Sequence, residues 1–182
     1  LFAYGLANEQ PTYERILKYK VDIEIFSDGI VGITENITVS AKGIRIKRGI
    51  TRDFPTIYHD NKGNEIRALF QLDEVLLNGS QVTHRIENII HGKRISIGEP
   101  DVFLQPGNYT YTLKYLVNRQ IGFFQYFDEL YYNAIPTGWD FEIDEAKVTV
   151  TVPAGAPILQ NACYKDDGNC YTKMIKENKI QF

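Results

Sequence analysis

Apolar and polar residues alternate along most of this chain. Tyr19, Val21, Ile23 and Ile25 are separated by Lys20, Asp22 and Glu24, and Ser27-Asp28-Gly29 follows as a turn. The alternation resumes on Val31, Ile33, Ile37 and Val39, with Glu35 the one polar interruption on that face. A period of two puts alternate side chains on opposite faces, so the pair reads as a hairpin. Further strands are predicted over residues 66–77, 80–89 and 93–97, divided by Asn78-Gly79 and His91-Gly92. Pro106-Gly107 opens another, NYTYTLKYLV, with Tyr109, Tyr111, Leu113 and Tyr115 on one face, and AKVTVTVP is a last clear strand ending at Pro153. No long i, i+3, i+4 stripe predicts a helix, although residues 127–132 have room for one helical turn. Many short strands with one apolar and one polar face predict an all-β chain, an antiparallel β-sandwich that is immunoglobulin-like in broad architecture. No repeat or linker divides it, so residues 13–182 read as a single domain behind an N-terminal segment, residues 1–12.

One stretch breaks the pattern. In GIRIKRGITRDFP, Ile44, Ile46 and Ile50 point one way, and the same period carries Arg48, Arg52 and Phe54 onto the isoleucine face. Guanidiniums on a core face are costly unless an anion meets them. The natural partners are Asp128, Glu129 and Asp140, which makes the stretch an ion-pair anchor first and a binding patch second. Gly49 lies between the two arginines, where a bulge would turn one outward, and Pro55 ends the pairing.

Composition narrows the function. The chain has 182 residues, enough to bury a core, and a formal net charge of −3, which argues against a nucleic-acid partner. Basic residues from Lys42 to Arg52 read as a solvated strand face rather than a phosphate groove. No run approaches the roughly 18 apolar residues of a spanning helix. Leu1 to Leu6 is nearly all apolar or small, with Gly5 and Ala7 spaced as at a signal-peptidase site. It reads as the tail of an export signal, a plain strand or an appended leader. Cys163 and Cys170 bracket YKDDGN, whose Asp-Gly turn brings them within disulfide reach. Such a pair suits an oxidising compartment, although two thiols also meet by chance in cytosolic proteins.

Catalytic templates are largely missing: no serine in a nucleophile elbow, no phosphate loop and no zinc-ligand spacing among His59, His84 and His91. No enzymatic activity and no cofactor or metal are expected. The paired acids Asp128 with Glu129, or Asp140 with Glu142, have glycosidase letters but read as solvated strand residues. Residues 123–139 gather Phe123, Phe124, Tyr126, Phe127, Tyr131, Tyr132 and Trp139. They either fill the core between two sheets or form a platform for sugar rings or a peptide. Sequons stand at Asn36, Asn78 and Asn108 and matter only in a glycosylating pathway.

Four blocks in order, SDGIVGITENITV, RGITRDFPTIY, ISIGEPDVFLQPGNYTYTLKYLV and FDELYYNAIPTGWDFEIDEAKVTVTVP, resemble the bacterial predicted membrane proteins of domain-of-unknown-function family 2207. The resemblance covers residues 13–153. It implies an extracytoplasmic, membrane-anchored domain, at the periplasm or cell surface, between an export signal and transmembrane helices. Two features depart from the family pattern: Tyr131-Tyr132-Asn133 where the family has Tyr-Trp-Asn, and the cysteine hairpin. The expected function is a membrane-tethered module that binds a ligand or protein partner, its own transmembrane region or another envelope protein. The alternative is a carbohydrate-binding or glycan-processing domain built on residues 123–139. The candidate binding residues are Arg48, Arg52, Asp128, Glu129, Tyr131, Tyr132, Trp139 and Asp140.

Overall fold

The structure is a computed structural model that describes residues 13–59, 62–165 and 170–182. Described residues form strands and no helix. The leading segment and the Asp-Gly turn between the cysteines lie outside the described residues. β1 (Arg15–Ile25) and β2 (Val31–Ala41) make the expected hairpin, followed by β3 (Ile50–Pro55), β4 (Ile57–His59) and β5 (Glu65–Arg67). Then come β6 (Phe70–Leu77), β7 (Ser80–Gln81), β8 (His84–Ile89), β9 (Gly92–Ile97) and β10 (Gly107–Val117). The chain continues with β11 (Ile121–Phe123), β12 (Asp128–Leu130), β13 (Ala146–Thr151), β14 (Lys173–Lys176) and β15 (Lys179–Gln181).

Eight strands pair in the order β14-β15-β13-β1-β2-β10-β6-β7, and three more as β3-β9-β8. β4 with β5, and β11 with β12, form separate two-stranded ribbons. Pairing is antiparallel except between β1 and β13, which run parallel from Tyr19 opposite Ala146 to Glu24 opposite Thr151. That parallel pair was not expected from the alternation, which records faces and not directions. The eight-to-three division also differs from the four-plus-three division of an immunoglobulin constant domain.

The three-stranded sheet lies against the middle of the large one. Ile50, Phe54, Ile95 and Ile97 from the small sheet share a core with Tyr19, Val21, Ile33, Ile37, Tyr111, Leu113 and Tyr115 from the large one. Two irregularities keep the apolar faces aligned. An extra residue between Ile16 and Lys18 puts Ile16 on the same side as Tyr19, although two residues lie between them and strict alternation would put them on opposite faces. A second shift, where Lys114 faces Glu74 and Tyr115 faces Leu72, does the same for β6. At the heart of the small sheet Phe54 meets Phe70 and Tyr115, with centroids 4.6 and 4.9 Å apart.

Candidate functional site

Two glycines set the direction of the arginine-rich stretch. Gly49 (φ +144°) and Gly98 (φ +120°) lie where two backbones cross. A Cβ on Gly49 would sit 1.7 Å from the Ile97 carbonyl oxygen, and one on Gly98 would sit 1.9 Å from that of Arg48. The kink precedes the ladder rather than bulging within it, because β3 and β9 pair without a shift from Ile50 opposite Ile97. Its effect is the one expected of a bulge. Arg48 turns outward and lies over the Phe103 ring, 4.3 Å from its centroid, while Arg52 turns inward between Ile50 and Phe54.

Arg52 does not meet Asp128, Glu129 or Asp140. Its partner is Glu35, the polar residue on the inner face of β2. Arg52 is 6% exposed and Glu35 1%. The fork is bidentate: Arg52 Nη2 donates to Glu35 Oε1 at 2.8 Å and Nε donates to Oε2 at 2.9 Å. Two phenols complete the shell, Tyr19 Oη donating to Oε2 at 2.5 Å and Tyr115 Oη to Oε1 at 2.6 Å. Arg52 Nη1 donates to the Asp53 carbonyl, and the guanidinium stacks on Phe54 at 4.3 Å. Both carboxylate oxygens of Glu35 and all three guanidinium nitrogens of Arg52 are therefore hydrogen-bonded within the centre. Burial opposes the Arg52 charge, but Glu35 outweighs it and holds the guanidinium pKa above its ordinary value. Burial first, and then the Glu35 charge, push the Tyr19 and Tyr115 phenols well above theirs. Tyr132, with its hydroxyl 3.5 Å from that of Tyr115, is pushed up to about 12, chiefly by burial.

The expected pairing failed for a reason of position. β11 and β12 form a ribbon of their own, whereas β2 runs directly beneath β3. The clue was in the alternation: one charged residue interrupts each of two facing apolar strands, and the signs are opposite. Asp140 pairs instead with Arg45, whose Nη2 donates to Asp140 Oδ2 at 2.6 Å and whose guanidinium lies 4.8 Å from the Phe141 centroid. Asp128 and Glu129 are exposed and make no ion pair among the described residues.

Glu14 carries a second buried carboxylate, which the period-two reading did not single out. The loop before β3 wraps around it. Lys42 and Ile44 donate backbone N–H to Oε1 at 2.8 and 3.1 Å, and Arg45 and Ile46 to Oε2 at 2.6 and 3.0 Å. Burial works to raise the Glu14 pKa, but the four N–H donors together prevail and lower it. No cation among the described residues pairs with this carboxylate; it organises backbone.

The aromatic segment divides. Trp139 meets Tyr19 edge-on with centroids 6.0 Å apart, and with Tyr132 it packs against the core. The sugar-stacking platform of Tyr131, Tyr132 and Trp139 is thus not assembled, since Tyr131 alone is exposed, at 73%. The helical turn considered for 127–132 is instead the β11–β12 hairpin, with Phe123 opposite Asp128 and Ile121 opposite Leu130. Ile121 and Leu130 pack against the core and hold its base. At its tip Phe123 is 72% exposed and Tyr126 83%, and Phe124 and Phe127 are exposed as well. Phe124 N–H donates to the Phe127 carbonyl at 3.0 Å, and the two rings stack 5.0 Å apart. Gly122 permits this, because a Cβ there would lie 2.9 Å from the Phe124 ring. Cys163 and Cys170 lie at disulfide distance, their Cα atoms 5.9 Å apart. No group of three or more His, Cys, Asp or Glu residues converges as a metal site among the described residues.

The geometry defines an all-β domain in which the buried Glu35 and Arg52 answer each other and one hairpin clusters four exposed aromatic rings. The chain belongs to the family of the predicted membrane protein (DUF2207) N-terminal domain, which it matches over residues 15–182. It is 25% identical over 185 residues to the uncharacterized protein YciQ of Escherichia coli K12, covering 98% of this chain and 29% of that protein. Among solved structures, native yeast LTA4 hydrolase superposes with a TM-score of 0.53 at 10% identity, over 93% of this chain and 26% of that one. An M1 zinc metallopeptidase from Deinococcus radiodurans gives 0.47 at 12% identity, over 92% of this chain and 38% of that one. The likeness to the yeast enzyme concerns the fold alone.

Proposed function

We propose that this domain is the extracytoplasmic, membrane-tethered β-sandwich module of a larger membrane protein, and that it binds a protein partner rather than catalysing a reaction. The observation that carries the binding reading is the β11–β12 hairpin, whose tip presents four aromatic side chains to solvent. Monomeric domains rarely expose clustered apolar surface without using it. The non-catalytic reading rests on the Glu35–Arg52 centre, the most strongly held charged group in the molecule. Its donors and acceptors are directed at one another, not at a cleft. Cys163 and Cys170, at bonding distance, support an oxidising location.

The test uses the full-length protein in bacterial cells carrying Tyr126→Cys. A membrane-impermeant maleimide is expected to label this thiol in spheroplasts, and labelling only after lysis would refute the location. A photo-crosslinker on the same thiol is expected to give a discrete adduct that Phe127→Ser abolishes. An adduct pattern no different from that at Lys20→Cys, on the outer sheet face, would sink the binding reading.

A further inference from the structure

We infer that the β11–β12 hairpin docks a basic segment, rich in lysine or arginine, of another polypeptide chain; this rests on the partner-binding reading above. Charge is the first reason. Between residues 118 and 145 there is one basic residue, Arg119, against six acids. Asp140, Glu142 and Asp144 are engaged by Arg45 and Arg15, but Asp128 and Glu129 on the hairpin have no cation among the described residues. Phe123 also lies close to the β1–β2 turn, where a Cβ on Gly29 would sit 3.3 Å from its ring.

Ring chemistry is the second reason. An aromatic face is electrostatically negative and attracts a guanidinium or ammonium. This molecule already uses that attraction: Arg15, Arg45, Arg48 and Arg52 each lie 4.3–4.8 Å from a ring centroid. Phe123, Phe124, Tyr126 and Phe127 carry no such cation among the described residues, and the Phe124 and Phe127 rings are held in place by their stack and the bond across the loop. Rigid, acid-flanked aromatics lose little freedom when a flexible cationic chain lies across them. An anionic lipid surface would be repelled by Asp128 and Glu129, which makes a bilayer the poorer occupant.

The test follows backbone amide signals of the domain by NMR as a deca-arginine peptide is added at low salt. Signals from residues 121–131 are expected to move saturably. Asp128→Asn with Glu129→Gln should weaken Kd about tenfold and flatten its salt dependence. Phe124→Ser with Tyr126→Ser should weaken binding comparably, while leaving the spectrum of the core unchanged. Shifts scattered over the whole surface, or hairpin signals that respond to neutral phosphatidylcholine vesicles and not to the peptide, would overturn the proposal. If the peptide fails to bind while the Tyr126→Cys adduct still forms in cells, the cationic class is wrong and the module reading stands. If both fail, the module reading falls with it.

Discussion

The Glu35–Arg52 centre and the β11–β12 hairpin both invert the usual partition, one by burying charge and the other by exposing rings. They differ in what answers them. Glu35 receives a bidentate guanidinium and two phenols, so nothing outside the core is needed to complete it. The hairpin rings are answered by each other and, beyond that, by solvent. A perturbed, buried ionisable group is often taken as the mark of a functional site. In this protein the completed polar centre is the anchor that sets how the two sheets face each other, and the incomplete apolar surface is the candidate site.

The largest expected effect comes from breaking the anchor on one side. Arg52→Met leaves Glu35 charged and unpaired in the core, and should cost about 3–5 kcal/mol of unfolding free energy. Removing the whole centre tests whether the cost is pairing or mere polarity. Glu35→Met and Arg52→Met combined with Tyr19→Phe and Tyr115→Phe leaves no unpaired charge, only the Asp53 carbonyl and the Tyr132 hydroxyl each short of one partner, and should recover most of the loss. Urea midpoints of the single and fourfold variants settle it. A fourfold variant no more stable than Arg52→Met would show that the ion pair stabilises the fold beyond satisfying itself.

Glu14 sharpens the comparison, being a buried carboxylate met by backbone N–H donors and by no cation among the described residues. Glu14→Gln replaces an acceptor by an amide NH₂ that opposes backbone N–H donors, and should cost about 1–3 kcal/mol at neutral pH. The sign with pH follows from its lowered pKa. The contribution of the carboxylate is complete above its unfolded value near 4.5 and is lost as pH falls through the lower folded value. The gap between wild type and Glu14→Gln should therefore narrow on acidification. A gap that is constant from pH 7 to pH 3 would assign the cost to shape rather than charge.

Tyrosine hydroxyls give a finer contrast within one strand. Tyr115 and Tyr111 both face the core from β10, but Tyr115 donates to Glu35 and the buried Tyr111 hydroxyl has no partner among the described residues. Tyr115→Phe should cost about 1.5–3 kcal/mol, the worth of a hydrogen bond to a charged group, and Tyr111→Phe should be neutral or stabilising. Equal losses from the two, by thermal or urea unfolding, would mean that ring packing and not the Glu35 shell controls this strand.

Much of the strand pattern was legible in the alternation, because period two is imposed locally by the pleat. β1, β2, β9, β10 and β13 fall close to where Tyr19, Val31, Lys93, Tyr109 and Val148 place them. Sheet neighbours were not legible, since the parallel contact of β1 with β13 joins residues more than a hundred positions apart. That one arginine turns outward and the other is anchored followed from Gly49, without telling which, and the partner acid was sought in the aromatic segment, at Asp128, Glu129 and Asp140. Glu35 had already been set apart as the polar residue on an apolar face. Matching one odd charge against another across two apolar strands would have found it. The exposed hairpin was hidden because FFQYFDELYY has the composition of a core; only its pairing as a separate ribbon leaves its rings outside.

The smallest effect is expected at that hairpin, and its smallness is what it tests. Tyr126 and Phe127 project from the tip of a ribbon whose base is held by Ile121 and Leu130. Tyr126→Ser with Phe127→Ser removes apolar surface that is already in water, so unfolding free energy should change by no more than about 0.5 kcal/mol per residue. The Phe124–Phe127 stack sets an upper limit, since an aromatic pair contributes about 0.5–1.5 kcal/mol beyond its buried area. A loss well above that sum would make the rings part of the folded core after all, like Trp139 and Tyr132. A stable double variant that loses its crosslinked partner would separate folding from binding at these two positions.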